Sequence, residues 1–583
     1  MKKGLFALGL LLLGCGGCTP GSLIDNIDLT QTNTTDSTTD TTTVAPQVDE
    51  TALTADSISD TKFDRTIRIV FSDYGVQVTG DTNNTVTVNG NHVTVNNTTN
   101  EKVMYELSGT AADGSIKLYS SKKQALILDG LDLTSTTGAA INNQGKKKCY
   151  VVIKGTNSLK DSESYTATPS NEDEKAALFS EGQLIFSGTG TLNVTAVGKS
   201  AITSDDYIHI MEQPVINASS SVGHGIRGKE SVIIAGGTIG VNISADMKKG
   251  ITSDSLVFIA GGTTMVNVSG GTAYDDEDTE YKGTAGIKAD QLFQITGGTL
   301  DVVNYGIGGK GISGDLTGCF YGGTVRVTAT GSNYGSSGGR FGSSSNSVSA
   351  KGIKFDGNII FQKGAVTVNC AAHEGIESKG NIFVNGGSVY SYSAADDAIN
   401  SAGTFTVQNG KVCGYAVCND GMDANGNFYI KGGLVYAIGT TAPEVAIDAN
   451  TERGYKLYVL GGTLIAIGGL ESGSSLTQSC YQAGAWSKST WYSLTVGQNE
   501  IAFRTPGSGG TPLVVSGSSA PTLKSGITAE GGTSWFEGML MTDVSVSGGS
   551  SVSLSSYTGG NGGGGFPGGP GGQRGPGGRP GGW

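Results

Sequence analysis

The stretch that decides the fold is Gly375 to Asp397, GIESKGNIFVNGGSVYSYSAADD. It opens on a small residue, an aliphatic one and a polar pair, then passes through an alternating run at Ile382-Phe383-Val384 to a turn at Gly386-Gly387. A second alternating run, Val389 to Ser393, leads into the next copy of the opening phrase, Ala398-Ile399. Three short β-runs punctuated by glycine, with almost no helix-forming stretch, predict three strands per repeat.

Outward from this unit the phrase recurs at Ala140-Ile141, Ala177-Leu178, Ala201-Ile202, Gly225-Ile226, Gly250-Ile251, Gly286-Ile287, Gly311-Ile312, Gly352-Ile353, Gly421-Met422 and Ala446-Ile447. From Ala177 the steps are 24, 24, 25, 36, 25, 41, 23, 23, 23 and 25 residues, the outliers being one period plus an inserted loop. A fixed period of this length is one supersecondary unit stacked on copies of itself, so function is read by column across repeats. The expected fold is all-β: a right-handed parallel β-helix with three strands per coil, about 12 coils and irregular β caps, adjacent coils pairing at ~4.8 Å. A leucine-rich repeat has a similar period, but its Leu-x-x-Leu-x-Leu-x-x-Asn signature is absent. After each Gly-Gly turn the second and fourth residues are aliphatic (Leu300 and Val302, Val325 and Val327, Val366 and Val368) and point inward, which turns the third and fifth outward.

The rest of the 583 residues frames this solenoid. Lys2-Lys3 and the apolar Leu5 to Leu13, too short to span a bilayer, form an export signal, and Leu12-Leu13-Gly14-Cys15 resembles a bacterial lipobox that would lipidate Cys15. An ordinary secretory signal is the other reading. The expected divisions are a signal peptide (1–14), an anchor with a Thr/Asp-rich linker (15–60), an N-terminal β cap (61–135), the β-helix (136–470), a C-terminal β region carrying Trp486, Trp491 and Trp535 (471–558), and a Gly/Pro tail (559–583). The linker is too polar to fold, and the caps would cover open β-helix edges. The chain is thus expected at the bacterial cell surface, as a monomer touching membrane only through its lipid. A net charge of -13 argues against a nucleic-acid or anionic-membrane partner. Cys149, Cys319, Cys370, Cys413, Cys418 and Cys480 form no CxxC pair, which argues against zinc.

Chemistry lies in columns beside the opening phrase. The residue just before it is Lys351, Glu374, Asp397 and Asp420 in successive coils; one place earlier stand His373, Asp396, Asn419 and Glu444. Two residues after the first phrase residue the column reads Lys354, Glu377, Asn400, Asp423 and Asp448, whereas earlier coils put Lys249, Lys288 and Lys310 in these columns. Two carboxylates ~5 Å apart repel by about 3 kcal/mol at an effective dielectric near 20, so such a ladder collects cations. Ca²⁺ suits it, with six to eight oxygen ligands at roughly 2.3–2.6 Å. The candidate ligands are Glu374, Glu377, Asp396, Asp397, Asp420, Asp423, Glu444 and Asp448; a solvated acidic edge is the bland alternative. By the same alternation Tyr390, Tyr392, Tyr415 and Tyr436 face outward on these coils, as sugar-stacking platforms or as a self-stacking ladder that stiffens the helix. Insertions at Asp161 to Glu174, Thr272 to Lys282 and Thr330 to Ser349 all fall just before the phrase, on what is then the binding face. Gly306 to Gly311 fits GxGxxG and Gly335 to Gly339 fits GxSxG, but with 95 glycines and no strand–helix context both are chance matches.

The segment Val103 to Leu159 (VMYELSGT…ALILDGLDLTSTTGAAINNQGKKKCYVVIKGTNSL) and the later D-G-x-D-x-N-G phrasing together resemble a bacterial surface family of carbohydrate-binding β-helix domains. The likeness runs from about Val103 to Gly468; it implies a pectate-lyase-like, calcium-containing, polysaccharide-binding domain, with the family's Asp-rich rungs falling on Asp396, Asp397, Asp420, Asp423 and Asp448. The Lys-rich insert Lys146 to Lys148 and the serine loop near Phe341 depart from it. Three functions follow: an anchored protein that holds acidic or plant-type polysaccharide through Ca²⁺ without turnover, a calcium-dependent polysaccharide lyase with Lys351 or Lys354 as base, and an adhesin or structural stalk.

Overall fold

The computed structural model describes residues 48, 53, 56–166, 168–335 and 346–559. Cys15 with its signal peptide, most of the linker, the serine loop near Phe341 and nearly all of the Gly/Pro tail lie outside these residues. Strands and turns account for the described chain, with two 3-10 turns and no α-helix.

Each coil is built as the glycine punctuation requires. The unit at Gly375 carries strands Ile376–Ser378, Ile382–Val384 and Ser388–Ser393, and each pairs in parallel with its equivalent one coil away. Register holds without slip along the first strands: Ile353 opposes Ile376, Ile376 opposes Ile399, and Ile399 opposes Met422. That register stacks the aliphatic phrase residues into one internal column, all fully buried. Aromatic rings stack the same way, Phe405 on Phe428 at 4.4 Å and Phe320 on Phe361 at 5.0 Å. The small phrase residue is a packing requirement, since a methyl added at Gly352 would stand 2.2 Å from Val368 Cγ1. The Gly-Gly turn is a backbone requirement: Gly387 has φ +73°, and a Cβ there would meet the preceding turn's backbone at 2.8 Å.

The structure has about 15 coils where about 12 were expected, because the ends join the stack. Arg65–Ser72 pairs in parallel with Val103–Ala111, which pairs with Gln124–Thr134, so 61–135 is the beginning of the solenoid instead of an irregular cap. Its spacing escapes the period because a hairpin, Val86–Asn89 with His92–Asn97, and a bulge near Gly109 interrupt it. At the other end, bridges Met422 to Ile447 and Ile447 to Leu470 add rungs after the last regular first strand.

The parallel pairing ends with Ser475–Leu476 on Leu457–Val459, and beyond it the strands run antiparallel. Leu513–Ser516 pairs antiparallel with Thr463–Ile467 and closes the open edge. A six-stranded antiparallel sheet follows and folds back along the third-strand face. There Tyr390 packs on Phe536 with ring centroids 6.3 Å apart, and Tyr436 on Phe503 at 5.7 Å. The C-terminal region therefore caps the helix and also covers one of its sides.

Candidate functional site

The turn between the third strand and the next first strand carries the columns singled out from the sequence, and register brings them together as expected: Glu377 opposes Asn400 and Asn400 opposes Asp423. The column then runs on through Asp448 to Glu471, each one residue after a bridged partner (Ile447, Leu470). Glu471 was not among the expected ligands, although Gly469-Leu470-Glu471 repeats the opening phrase one period after Ala446.

Charge divides the face into three zones. In the N-terminal zone, burial and then neighbouring lysines push Lys249 and Lys310 down to about 8. The inserted hairpin Ala273–Asp275 with Glu280–Lys282 stands over this zone, and Tyr281 packs on Tyr334 of the next insertion at 5.0 Å. The second and third insertions are thus in contact through these two rings.

The middle zone is neutralised internally. Lys351 Nζ lies 3.0 Å from Glu374 Oε2 and also pairs with Glu377, which in turn binds Lys379. Burial alone would raise the Glu377 carboxyl, but Lys351 and Lys379 more than offset it and hold it low. His373 Nδ1 pairs with Glu374 and lies 3.0 Å from Asp396 Oδ2. Burial opposes the charge of His373, yet Asp396 and Glu374 raise it to about 9, and the imidazolium holds Asp396 low. Glu374, Glu377 and Asp396 therefore already have cationic partners from the protein, while His373, Glu374 and Asp396 also bring one ligand atom each within 4.8 Å of one another, a spacing that could hold a metal ion. The same ion pairs correct the expectation of a lysine base. Lys351, despite its burial, is held above its ordinary value by Glu374 and Glu377, and Lys354 pairs with Asp356.

The C-terminal zone has no such compensation. Among the described residues Asp397, Asp420, Asp423, Glu444, Asp448 and Glu471 have no ion-pair partner. Asp397 and Asp420 are only 6% and 7% exposed. Burial, then Asp423, Asp396 and Asp420, pushes Asp397 well above the carboxylate range. Burial, followed by Asp448, Glu444 and Asp423, raises Asp420 to about 9, even though its Oδ1 accepts the Val445 N–H at 2.5 Å. Burial first, and then neighbouring carboxylates, raise Asp423 and Asp448 to about 6. Glu471, half-buried beside Asp448, rises to about 7 through partial burial and that carboxylate. Asp397 Oδ1 accepts the Asp420 N–H at 3.2 Å and its Oδ2 accepts Asn400 Nδ2 at 3.0 Å, so backbone and amide groups fix the carboxyls without balancing their charge. The chemistry of these donors, carboxyls with amides nearby and no cation, suits an oxygen-seeking divalent ion, although among the described residues no three of them bring ligand atoms within 4.8 Å of one another, as His373, Glu374 and Asp396 do.

The tyrosines are placed differently from expectation. They do point out of the solenoid, but Tyr390 and Tyr436 are buried under the C-terminal sheet, and Tyr436 donates its hydroxyl to Arg504 O at 2.7 Å. Alternation fixed their direction; it carried no signal that a later segment folds over that face. Tyr392 and Tyr415 remain half-buried, edge to face at 5.2 Å, on the strands that enter the turns of Asp396 and Asn419.

Residues 89–398, more than half of the chain, match the family described as carbohydrate-binding domain-containing protein. None of the curated proteins matches the chain. Among solved structures, the polysaccharide lyase-like protein from C. thermocellum, in its gadolinium derivative, aligns at 18% identity and a TM-score of 0.28 over 59% of this chain and 96% of that one. The matched residues take in the lysine rungs and the acidic rungs as far as Asp397. The stacked coils and the turn columns they present are thus those of a protein that belongs to the carbohydrate-binding domain-containing family.

Proposed function

We propose that this is an exported, lipid-anchored protein of the bacterial cell surface that holds acidic or plant cell-wall polysaccharide through Ca²⁺ on its C-terminal rungs, without turning it over. The observation that carries the reading is the run Asp397, Asp420, Asp423, Asp448 and Glu471: carboxyls raised by burial and mutual repulsion, with no basic side chain paired to them among the described residues. Divalent ions relieve that repulsion and leave positive charge for the carboxylates of a uronate chain. Asp420, Asp423, Glu444 and Asp448 would hold the ion, with Asn400, Asn419 and Asn425 supplying neutral oxygens. The lysine rungs, on the same face, add direct partners for anionic sugars.

Absence of turnover is supported by distance and charge. A base must come within hydrogen-bond reach of the proton it removes. Lys351 is held protonated by two glutamates. Lys310, whose amine is the easier to neutralise, stands three rungs from Asp397, ~14 Å at the ~4.8 Å spacing of strands.

The test is retention of the purified protein on polygalacturonate in calcium and in EDTA, with the absorbance of unsaturated uronides followed in the same samples. Retention in calcium alone with flat absorbance is expected. Growing absorbance would replace this reading with a lyase, and loss of retention in both buffers would favour a stalk.

A further inference from the structure

The second-strand face carries an outward column that is mostly apolar. In register it runs through Ile185, His209, Ile233, Phe258, Gln294 and Cys319. These residues alternate with core side chains such as Leu184 and Phe186, so they point out of the coil, yet none is more than 1% exposed. Their cover is the segment that precedes the first coil. Ile58 and Phe63 pack with Tyr150 and Ile185, and Val48 and Leu53 with Ile233, Phe258 and Cys319. The two polar members of the column are the two that bond this segment: His209 Nδ1 lies 2.9 Å from Asp56 Oδ2, and Gln294 Oε1 accepts the Val48 N–H at 3.3 Å. Asp56, itself buried, also accepts the Tyr207 hydroxyl at 3.0 Å and pairs with Lys148 of the Lys-rich insert. Burial alone would raise its carboxyl, but His209 and Lys148 more than offset it and hold it low. Among the described residues the His209 ring has no other partner, its Nε2 being buried and unbonded.

We propose that Val48 to Phe63 is a strap, latched by Asp56, that opens as a unit while the solenoid stays folded and so lengthens the tether when the chain is pulled from its N-terminal side. Its attachment differs from that of every coil. Coils are joined by parallel ladders, but among the described residues the strap makes no backbone–backbone hydrogen bond to the solenoid; the first is Asp64 N–H to Lys102 O at 2.9 Å. Side chains alone hold the strap, so its opening breaks no ladder and precedes that of the coils. From Thr61, whose hydroxyl meets Tyr150 OH at 3.0 Å, to Val48 on Gln294 the strap climbs five rungs, ~24 Å at ~4.8 Å per rung. A pull from beyond Val48 therefore loads the contacts one after another, and reaches the buried Asp56 node only after Val48 and Leu53 have lifted. Freed as far as Thr61, the strap extends up to ~45 Å. Opening also turns Cys319 to solvent. Only the direction of pull rests on the lipid-anchored reading; the strap itself depends on neither calcium nor polysaccharide, so failed retention on polygalacturonate leaves it untouched.

The test is pulse alkylation of the full chain with N-ethylmaleimide, read peptide by peptide in a mass spectrometer. Cys319, under the strap, is expected to label in native buffer while Cys149, inside the coils, stays protected. Asp56→Ala and His209→Phe should each speed Cys319 labelling about tenfold or more and leave Cys149 as it is in the wild type. In an optical trap, with handles ahead of Val48 and in the Gly/Pro tail, a reversible step of at most ~45 Å should precede any unfolding of the solenoid, and at lower force in Asp56→Ala. Labelling of Cys319 and Cys149 in step, Cys319 rates unmoved by both variants, or no step before the solenoid yields would each overturn the proposal.

Discussion

Replacing Asp420 by asparagine separates metal binding from simple structure, because the substitution should change sign with calcium. Asp420 is raised to about 9 in the fold against an ordinary value of 3.8, so at pH 7 folding without metal must protonate it at a cost of about 4 kcal/mol, taking ~1.4 kcal/mol per pH unit between 3.8 and 7. Asparagine has nearly the same shape, and its Oδ1 can still accept the Val445 N–H that Asp420 accepts at 2.5 Å. The cost of burying a charge-prone group disappears, offset in part by desolvation of the amide. In EDTA, Asp420→Asn should therefore be neutral or raise the melting temperature. In calcium at about 100 times its dissociation constant the bound ion contributes roughly 2.7 kcal/mol to the wild type, and the variant forfeits much of it. Thermal melts followed by circular dichroism, wild type and variant in both buffers, read the difference directly. Equal destabilisation in both buffers would mean that Asp420 serves only its hydrogen bond, and the metal reading of this column would fail.

Three other perturbations probe the neighbouring zones. Asp420 and Glu471 have raised values, so the metal-free fold holds protons that the unfolded chain releases above about pH 4; stability in EDTA should fall as pH rises from 5 to 8, and saturating calcium should flatten or reverse that slope, whereas a melting temperature rising with pH in EDTA would contradict the assignment. Lys351→Met leaves Glu374 and Glu377 buried without their shared cation and should destabilise by about 3–5 kcal/mol; adding Glu377→Gln should recover part of this in urea denaturation, and no recovery would argue against the pairing. Tyr436→Phe removes the hydroxyl bonded to Arg504 O and should weaken docking of the C-terminal sheet by about 1–3 kcal/mol, seen as faster proteolysis within 471–558; an unchanged digestion pattern would mean that ring packing on Phe503 alone holds that sheet.

The solenoid was legible in sequence because a repeated register amplifies a weak signal: one Gly-Ile phrase means little, but a dozen at one spacing place every column. The acidic columns were legible for the same reason: register places Asp423 and Asp448 on successive rungs of one column, each one residue after a paired phrase residue. What escaped is non-periodic. The partners of Glu377 depend on where Lys351 and Lys379 place their long side chains, and spacing does not state whether neighbouring charges stack as a metal site or as ion pairs. Burial of Tyr390 and Tyr436 depends on a later, non-repeating segment of the chain, Phe503 to Phe536, folding back on them. Glu471 was missed because the preceding rung and its own consist of single bridges instead of strands. In the first coils the hairpin Val86–Asn89 with His92–Asn97 hides the period, although the parallel pairing of Arg65–Ser72 is regular.

The most direct measurement is a calcium titration of the full chain by isothermal calorimetry, run in two buffers of different ionisation heat and repeated with the double variant Asp397→Asn/Asp420→Asn. Saturable binding is predicted for the wild type, with protons released as the raised carboxyls ionise around the metal, and the double variant should lose that site while keeping its fold by circular dichroism. Calcium binding identical in the two proteins, or no binding to the wild type, would contradict the claim that the C-terminal rungs are a metal-holding face.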